Sequence, residues 1–310
     1  MVPFFRAADI ERAVSPHEAY DAVRDAFVAH ARGEWSMPPK VYVANYPAGD
    51  FRAMPAIGGG HALIKWVTSF PGNPARGLPT VTGLVLLSNA ETGMLEAVLD
   101  AAAVTALRTA AAAVLAADTL CHPDAAAYAV VGCGVNGAET VRMLRELGHE
   151  CLVHDVDSAR AAAVAERHGA VAASREEALG ADVVITLTPG REILFPAGYL
   201  RPGQHASLMG ADGPGKAEVA VEELRRAHLF CDEWEQASHG GELAGAVEAG
   251  VVTHRDVTEL GAVLTGEAGG RRSAGDITLF DSTGLAIQDL AIAKVAFAKA
   301  DELDLPTLGL

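Results

Sequence analysis

The chain has 310 residues, half of them hydrophobic, and 24 Lys and Arg against 40 Asp and Glu give it a formal net charge of −16. This length is enough for two domains, each with a sizeable core. The negative charge argues against nucleic acid or an anionic membrane surface as a partner, because both require basic patches on the protein.

The sequence shows no pattern for metal binding, disulfides or export. The cysteines have neither C-x-x-C nor zinc spacing, so we predict no metal and no disulfide framework. The N-terminal segment lacks the apolar core of a signal peptide, and we find no run of about 18 apolar residues that would span a membrane. We therefore expect a cytoplasmic protein. The cysteines are Cys121, Cys133, Cys151 and Cys231.

The first part of the chain predicts a helix followed by an antiparallel sheet. The segment SPHE at 15–18 is a capping box with proline at the first helical position, and the helix that it opens ends at Gly33. Runs with β-propensity and turn signals follow. The expected strands are 38–43, 51–55, 62–68, 80–87 and 94–99.

Lys65 interrupts an apolar face of one expected strand. It shares this face with Leu63 and Val67, because side chains alternate along a strand. A lysine among apolar neighbours is typical of a functional group, but an edge strand that uses lysine to prevent aggregation has the same pattern. The strand alone favours neither interpretation.

Arg108 lies on an apolar face of a long alanine-rich helix, which Asp100 caps and which runs to Leu120. Apolar residues stand four positions before it and three, four and seven positions after it. A guanidinium cannot give up its charge, so it needs an anion if it is buried. The alternative is an arginine that extends to the surface. We favour ligand binding, because this helix leads directly into the first strand of the next domain.

Three glycines follow a valine-rich strand with G-x-G-x-x-G spacing, at Gly132, Gly134 and Gly137. The first allows a tight turn, the second lets the backbone approach a pyrophosphate, and the third lets the helix pack against the strand. The N–H groups at the helix start favour phosphate binding. Asp155 follows the next strand, 151–154, where a ribose-binding acid is expected. We predict a dinucleotide site that favours NAD over NADP.

Strands and helices alternate from 126 to 232, which is typical of a doubly wound sheet with ligands at the carboxyl ends of its strands. Asp212 and Lys216 lie in a loop of Gly, Pro and small residues after one strand. A surface turn in which the aspartate bonds its own backbone would have a similar sequence. A last helix, 286–300, has an apolar side, and we expect it to pack back on the first domain.

Six motifs make the sequence resemble the ornithine cyclodeaminase/mu-crystallin family along nearly its whole length. They are FPGNPARGLPTVTG, LDAAAVTALRTAAA, VVGCGVNGAE, GADGPGKAEV, HGGELAGAVEAG and FDSTGLAIQDLAIAK. Within the family, MPPKVY before GDFRAMPA and the run IQDLAIAK are similar to the archaeal-type NAD-dependent alanine dehydrogenases.

The resemblance implies an α/β fold, with a Rossmann-type doubly wound NAD domain at 118–284. The segments 1–117 and 285–310 would form an α+β dimerisation and substrate domain. The resemblance also implies a homodimer in which these domains join their sheets, with a substrate site between the two domains of each chain.

By the same resemblance, Lys65 and Asp212 are the catalytic pair. Arg52 and Arg108 hold the substrate carboxylate. The further substrate residues are Lys40 and Lys216. The residues expected around the cofactor are Thr80, Arg108, Gly132, Gly134, Val135, Asn136, Gly137, Asp155, Ser282, Thr283 and Gly284. The chain departs from the family at position 40, where the cyclodeaminases usually have arginine, and at 136–137, where the family usually has Gln-Ala.

The implied activity is hydride transfer between NAD and the α-carbon of a small amino acid or 2-imino acid. The main expectation is an alanine dehydrogenase, which converts L-alanine to pyruvate and ammonia. The alternatives are an ornithine cyclodeaminase-type ammonia lyase, a cyclic ketimine reductase and a mu-crystallin-like binding protein. Either Lys65 or Asp212 could move the proton.

Overall fold

The computed structural model describes residues 1–211, 213 and 215–309. The chain divides into two compact units: Met1–Arg108 with Leu285–Leu310, and Thr109–Gly284. The division expected from the sequence, at 117/118, falls in the same long helix as the observed one. Each unit has its own sheet.

The strands and helices are numbered here in chain order. The strands are β1 (Val2–Phe5), β2 (Val41–Asn45), β3 (Gly49–Gly58), β4 (His61–Ser69), β5 (Val81–Asn89), β6 (Leu95–Asp100), β7 (Tyr128–Val131), β8 (Cys151–His154), β9 (Val171–Ala172), β10 (Val183–Thr186), β11 (His205–Leu208), β12 (His228–Cys231), β13 (Val257–Glu259), β14 (Thr278–Asp281) and β15 (Thr307–Leu308). The α-helices are α1 (Ala7–Ala13), α2 (Pro16–Ala31), α3 (Ala101–Leu120), α4 (Val135–Glu146), α5 (Ser158–His168), α6 (Arg175–Leu179), α7 (Val221–Leu224), α8 (Trp234–Gly240), α9 (Ala244–Glu248), α10 (Leu260–Thr265) and α11 (Ala286–Ala298).

The sheet of the first unit has the strand order β15-β1-β6-β5-β4-β3-β2. All neighbours in it are antiparallel except β1 and β6. Along β4, Leu63, Lys65 and Val67 are buried, whereas Ile64 and Trp66 are exposed, as the alternating pattern predicted. Because β4 lies between β3 and β5, the edge-strand interpretation of Lys65 is wrong.

Two helices of the first unit, α2 and α11, pack against each other, and α11 also packs on β3 and β4. The predicted capping box is confirmed, since the Glu18 N–H donates to Ser15 Oγ and the Ser15 N–H donates to the Glu18 carboxylate. The sequence predicted one apolar side for α11. In the structure most residues of α11 are buried, and α2, β3 and β4 all pack against it.

Helix α3 is the one helix in the described part of the chain that is long and apolar enough to cross a membrane, with a mean hydropathy of 1.4. The expectation that no such run exists is therefore wrong as to composition, because many alanines offset the few polar residues. However, 78% of the 18-residue stretch with this mean hydropathy is buried inside the protein, which is typical of a core helix.

The sheet of the second unit is parallel throughout, in the order β13-β12-β14-β11-β10-β7-β8-β9. Its strands β7, β10, β11 and β14 are completely buried, as expected of parallel strands that are covered on both faces. The six neighbouring strands β9-β8-β7-β10-β11-β14 have the spatial arrangement of a Rossmann fold. The predicted doubly wound fold is therefore confirmed. The chain moves from β7 to β8 on one side and later returns to β10 on the other. Ligands of such folds bind at this switch point.

Candidate functional site

The glycine loop joins β7 to α4 at the switch point. Gly132 has φ +101°, and a Cβ atom there would lie 2.6 Å from the carbonyl oxygen of Leu187, just after β10. A Cβ atom on Gly137 would overlap the carbonyl oxygen of Gly132. Both positions therefore require glycine for the turn and for the close packing of α4, as the spacing indicated.

The start of α4 is open on the side where an anion would bind. Gly134 is the N-cap residue, no side chain caps the helix, and nothing lies within 4 Å of a Cβ atom built on Gly134. Val135 and Asn136 are the first helical residues, and Val135 is 74% exposed. Free N–H groups at the positive end of a helix and a missing Cβ are what a pyrophosphate requires. These residues therefore fit a dinucleotide.

Asp155 lies at the carboxyl end of β8 and connects it to the glycine loop. Its carboxylate accepts hydrogen bonds from the N–H of Cys133, at 2.7 Å, and from the N–H of Asp157, at 2.8 Å. The guanidinium of Arg160, half-exposed, lies 3.4 Å from it. The acid therefore stands where a ribose-binding carboxylate is expected, and it also holds the loop in place.

The turn Ser282-Thr283-Gly284 is held by Asp232, which follows β12. The Asp232 carboxylate accepts from the N–H groups of Thr283 and Gly284, at 2.7 and 2.8 Å, and from Ser282 Oγ at 3.1 Å. The sequence motif predicted a functional turn here, but the role of Asp232 was not predicted. An acid directly after a buried strand, at the carboxyl edge of the sheet, was the signal that could have revealed it.

Two buried glutamates fix the segment that follows the Asp212 loop. Glu218 accepts from Thr186 Oγ1 and Thr188 Oγ1, both at 2.5 Å, and Glu242 accepts from the N–H of Glu218 at 2.8 Å. Burial raises the pKa of Glu218, and burial together with the nearby Asp281 raises the pKa of Glu242 to about 8. Both were overlooked as separate residues, although they lie in the motifs GADGPGKAEV and HGGELAGAVEAG.

Of the predicted residues in this loop, Asp212 lies outside the described residues. Lys216 is half-buried, between Gly215 and the segment that the glutamates hold. The catalytic role of Asp212 and the substrate contact of Lys216 therefore stay predictions.

Lys65 is a buried cation of the first unit. It is 1% exposed, its Nζ lies 2.6 Å from Asp289 Oδ2 on α11, and it donates to Thr105 Oγ1 at 3.2 Å. Burial lowers the pKa of Lys65 to about 7, the charge of Asp289 opposes this change, and the charges of Arg108 and Lys40 add to it. Lys65 can therefore exchange a proton near neutrality.

Arg108 is also buried and also pairs with Asp289. Its Nε lies 3.5 Å from Asp289 Oδ1, and its Nη1 donates to Gln288 Oε1 at 3.3 Å. The surface interpretation of Arg108 is therefore wrong. The Arg108 Nε and the amide nitrogen of Gln288 have no hydrogen-bond acceptor among the described residues. Buried donors of this kind usually have a partner, so a ligand carboxylate would complete the arrangement.

Arg52 has a carboxylate partner on its own strand. Its Nε donates to Asp50 Oδ1 at 2.6 Å, and its guanidinium lies 5.3 Å from the centre of the Tyr42 ring. Lys40, half-buried, precedes β2, and Thr80, half-buried, precedes β5. We call Lys40, Lys65 and Arg108 the cation cluster, because the charges of the first and the third act on the amine of Lys65.

Asp289 is the residue that the sequence analysis missed here. The sequence pattern predicted only an apolar helix in this segment. Gln288 and Asp289 are adjacent polar residues in an otherwise apolar run, and both are completely buried. A buried acid needs a cation or hydrogen-bond donors, so its place in that run was the available signal.

The chain is similar to known proteins over nearly its whole length. The family model described as "Ornithine cyclodeaminase/mu-crystallin family" matches residues 3–303. The alanine dehydrogenase of Archaeoglobus fulgidus is 43% identical over an alignment of 301 residues, and the match covers 94% of this chain and 93% of that protein.

Two solved structures are similar to this one over nearly their full length. An archaeal alanine dehydrogenase dimer with bound NAD has a TM-score of 0.93 and 41% identity, and the match covers 99% of this chain and 98% of that one. The Δ1-pyrroline-2-carboxylate reductase of Thermococcus litoralis, in complex with NADH and L-proline, has a TM-score of 0.92 and 27% identity, with 99% and 100% covered.

Proposed function

Because the chain belongs to the ornithine cyclodeaminase/mu-crystallin family, we propose that it is an NAD-dependent oxidoreductase of a small α-amino acid or 2-imino acid. The open, uncapped start of α4 beside Asp155 carries this proposal, since it fits a dinucleotide without a 2′-phosphate. The best single substrate is L-alanine, converted to pyruvate and ammonia, because the relative that is 43% identical is an alanine dehydrogenase.

Different residues of the chain would bind different parts of NAD. The loop of Gly132, Gly134 and Gly137 would bind the pyrophosphate with the first N–H groups of α4, those of Val135 and Asn136. Asp155 would accept from the ribose hydroxyls. The remaining cofactor contacts would come from Thr80, Arg108, Ser282, Thr283 and Gly284. When bound, the nicotinamide exchanges a hydride with the substrate α-carbon.

The cation cluster would bind the substrate carboxylate. Arg108 keeps its charge when buried, and Lys65 can supply a second charge-assisted hydrogen bond. We assign a third contact to Arg52, whose guanidinium would share its donors between Asp50 and the substrate. Lys216 would be a further contact. Asp212 would order and deprotonate the water that attacks the imine.

A screen of amino acids with NAD, and of 2-oxo acids with ammonia and NADH, tests this proposal if both NADH and ammonia are followed. A dehydrogenase forms NADH and ammonia together from its amino acid. A cyclodeaminase releases ammonia without net NADH. The absence of turnover with every compound, together with NAD binding, would contradict an oxidoreductase and favour a small-ligand binding protein.

The second candidate is a reductase of cyclic imines. The similarity to the Thermococcus litoralis reductase, at a TM-score of 0.92, favours it. Such an enzyme oxidises NADH in the presence of a cyclic 2-imino acid and needs no ammonia, so the same screen separates it from an alanine dehydrogenase.

We expect NAD to exceed NADP in kcat/KM by tenfold or more. A carboxylate at position 155 repels a 2′-phosphate by an energy on the order of a few kcal/mol. The variant Asp155→Asn keeps an oxygen for the Cys133 N–H but removes the charge, so it should lose most of this preference. The neighbouring Arg160 would then favour the phosphate. The control variant Asp157→Asn should retain the preference for NAD. A wild-type preference for NADP would refute the role of Asp155.

We further propose that the protein is a homodimer, which is also the state of the archaeal alanine dehydrogenase structure. An exposed apolar patch on the sheet of the first unit supports this, since such patches usually mark interfaces. In this patch Ile64 lies opposite Leu86, and Trp66 opposite Leu84.

Trp66→Glu is expected to convert the dimer to a monomer, because it places a charge in the middle of the apolar patch. Molar mass from light scattering measures the change. Val171 is another exposed apolar residue, on a strand of the second unit, so the Val171→Glu protein should have the molar mass of the wild type. A dimeric Trp66→Glu protein would mean that this face is not the interface.

A further inference from the structure

Asp289 lies between the two most deeply buried side chains of the cation cluster. It is 0% exposed, with Oδ2 at 2.6 Å from Lys65 Nζ and Oδ1 at 3.5 Å from Arg108 Nε. We propose that Asp289 is a positioning residue, which fixes Lys65 and Arg108 beside each other and keeps the amine of Lys65 protonated for the substrate carboxylate. The part about the substrate rests on the proposed function.

Two buried cations do not stay side by side without an anion. Their mutual repulsion and the loss of hydration both disfavour the charged state. The guanidinium of Arg108 cannot lose its proton, so Lys65 is the group that would become neutral. A carboxylate with one oxygen towards each cation offsets this repulsion and allows both cations to stay charged. In the first unit Asp289 has this geometry.

The position of Asp289 in α11 favours its charge. It lies in the first turn of the helix, where the positive end of the helix dipole stabilises an anion. The preceding residue, Gln288, accepts from Arg108 Nη1 and from the N–H of Leu285. Both polar residues of this turn therefore contact the buried cations. The packing of α11 on β4 sets the distance between Asp289 and Lys65.

The charged groups around Lys65 come from three parts of the first unit. Asp289 faces it from α11, Arg108 from α3 and Lys40 from the segment before β2, and the hydroxyl of Thr105 is neutral. Asp289 is the anion in this set. Burial and the two cations lower the pKa of Lys65, and Asp289 keeps it near 7. Without Asp289 we expect the amine to be neutral at neutral pH.

The first experiment measures the pairing through stability and needs no activity. The pKa of Lys65 is about 7 in the folded protein and 10.5 for an ordinary lysine. The unfolded state therefore binds more protons between these values, so the contribution of Lys65 to the free energy of unfolding rises with pH across this window. In Asp289→Asn the rise should begin at a lower pH. In Lys65→Met it should disappear.

A double-mutant cycle of Asp289→Asn and Lys65→Met isolates this pair from other titrating groups. We expect a coupling at about pH 6, where Lys65 is charged, that becomes small at about pH 9, where it is neutral. A coupling that does not depend on pH, or no coupling, would refute the proposed charge pairing.

The second experiment measures the pH dependence of KM for the amino acid or 2-oxo acid. In the wild type, carboxylate binding should weaken as pH rises through the pKa of Lys65. In Asp289→Asn the weakening of carboxylate binding should begin at least about one pH unit lower, so that KM at neutral pH rises about tenfold. The effect on kcat should be smaller. Asp289→Glu keeps the charge and should restore part of the profile.

Lys299→Gln is the control, because it breaks another ion pair of this region, between Lys299 and Glu18 at 2.6 Å. It should leave the KM profile unchanged. If Asp289→Asn lowers stability but has the wild-type KM profile, Asp289 only anchors α11 and the inference is wrong. If the wild type has no activity, the proposed function fails, whereas the double-mutant cycle still tests the pairing.

Discussion

Replacing Asp212 with asparagine is expected to lower kcat on the order of 10²–10⁴-fold and to leave NAD binding nearly intact. In the sequence Asp212 comes four residues after the end of β11, among glycine, proline and small residues, and the doubly wound fold binds its ligands at the carboxyl ends of its strands. Asparagine keeps the size of the side chain but cannot accept the proton from the attacking water.

Fluorescence titration with NAD and steady-state rates on the same preparation measure both effects. A turn-forming aspartate would behave differently, since asparagine is an equally good turn residue and activity would survive. The exposed Asp124 provides the control, because Asp124→Asn should retain wild-type kcat. Wild-type turnover in Asp212→Asn would assign the proton transfer to another group, with Lys65 the next candidate.

The second large effect is expected for Arg108→Lys, which should lower kcat/KM on the order of 10²-fold although the charge is kept. The planar guanidinium reaches Asp289 with Nε and Gln288 with Nη1 at the same time. The ammonium of lysine is a compact point charge without this planar fork, so it cannot span the two contacts and also bind a carboxylate through two parallel hydrogen bonds. It would also stand beside the amine of Lys65 with fewer donors to share.

Steady-state kinetics and thermal unfolding of Arg108→Lys separate a loss of binding from a loss of folding. Arg145→Lys is a matched control, because Arg145 pairs with the exposed Glu150, at 2.9 Å, on the surface. Near-normal KM and kcat in Arg108→Lys would contradict its role at the substrate carboxylate.

The Rossmann-type unit could be predicted well because its signals are local. Strand β8 has the predicted bounds, and helix α5 has clear local signals at both ends, since Asp157 caps it and Gly169 ends it with φ +69°. The steric roles of Gly132 and Gly137 also follow from their spacing, because this loop connects adjacent elements.

Elements with weak local signals were not predicted. Strand β13 has three residues, and α1 has seven and an N-cap residue, Arg6, whose side chain is not one of the usual capping side chains. Strand β1 has four residues, and its partners, β6 and β15, lie far away in the chain. Such short segments become ordered through packing and pairing rather than through their own propensity.

The sequence alone determined that Lys65 and Arg108 stand on apolar faces of a strand and a helix, because these periodicities depend only on neighbours in the chain. It therefore determined that each needs an anion if buried. Only the tertiary structure decided which anion this is. Arg108 and Gln288, the neighbour of Asp289, are 180 residues apart, and α11 brings them together by packing on β4. The charge state of Lys65 depends on this long-range packing, since burial and the carboxylate of Asp289 act on its pKa in opposite directions.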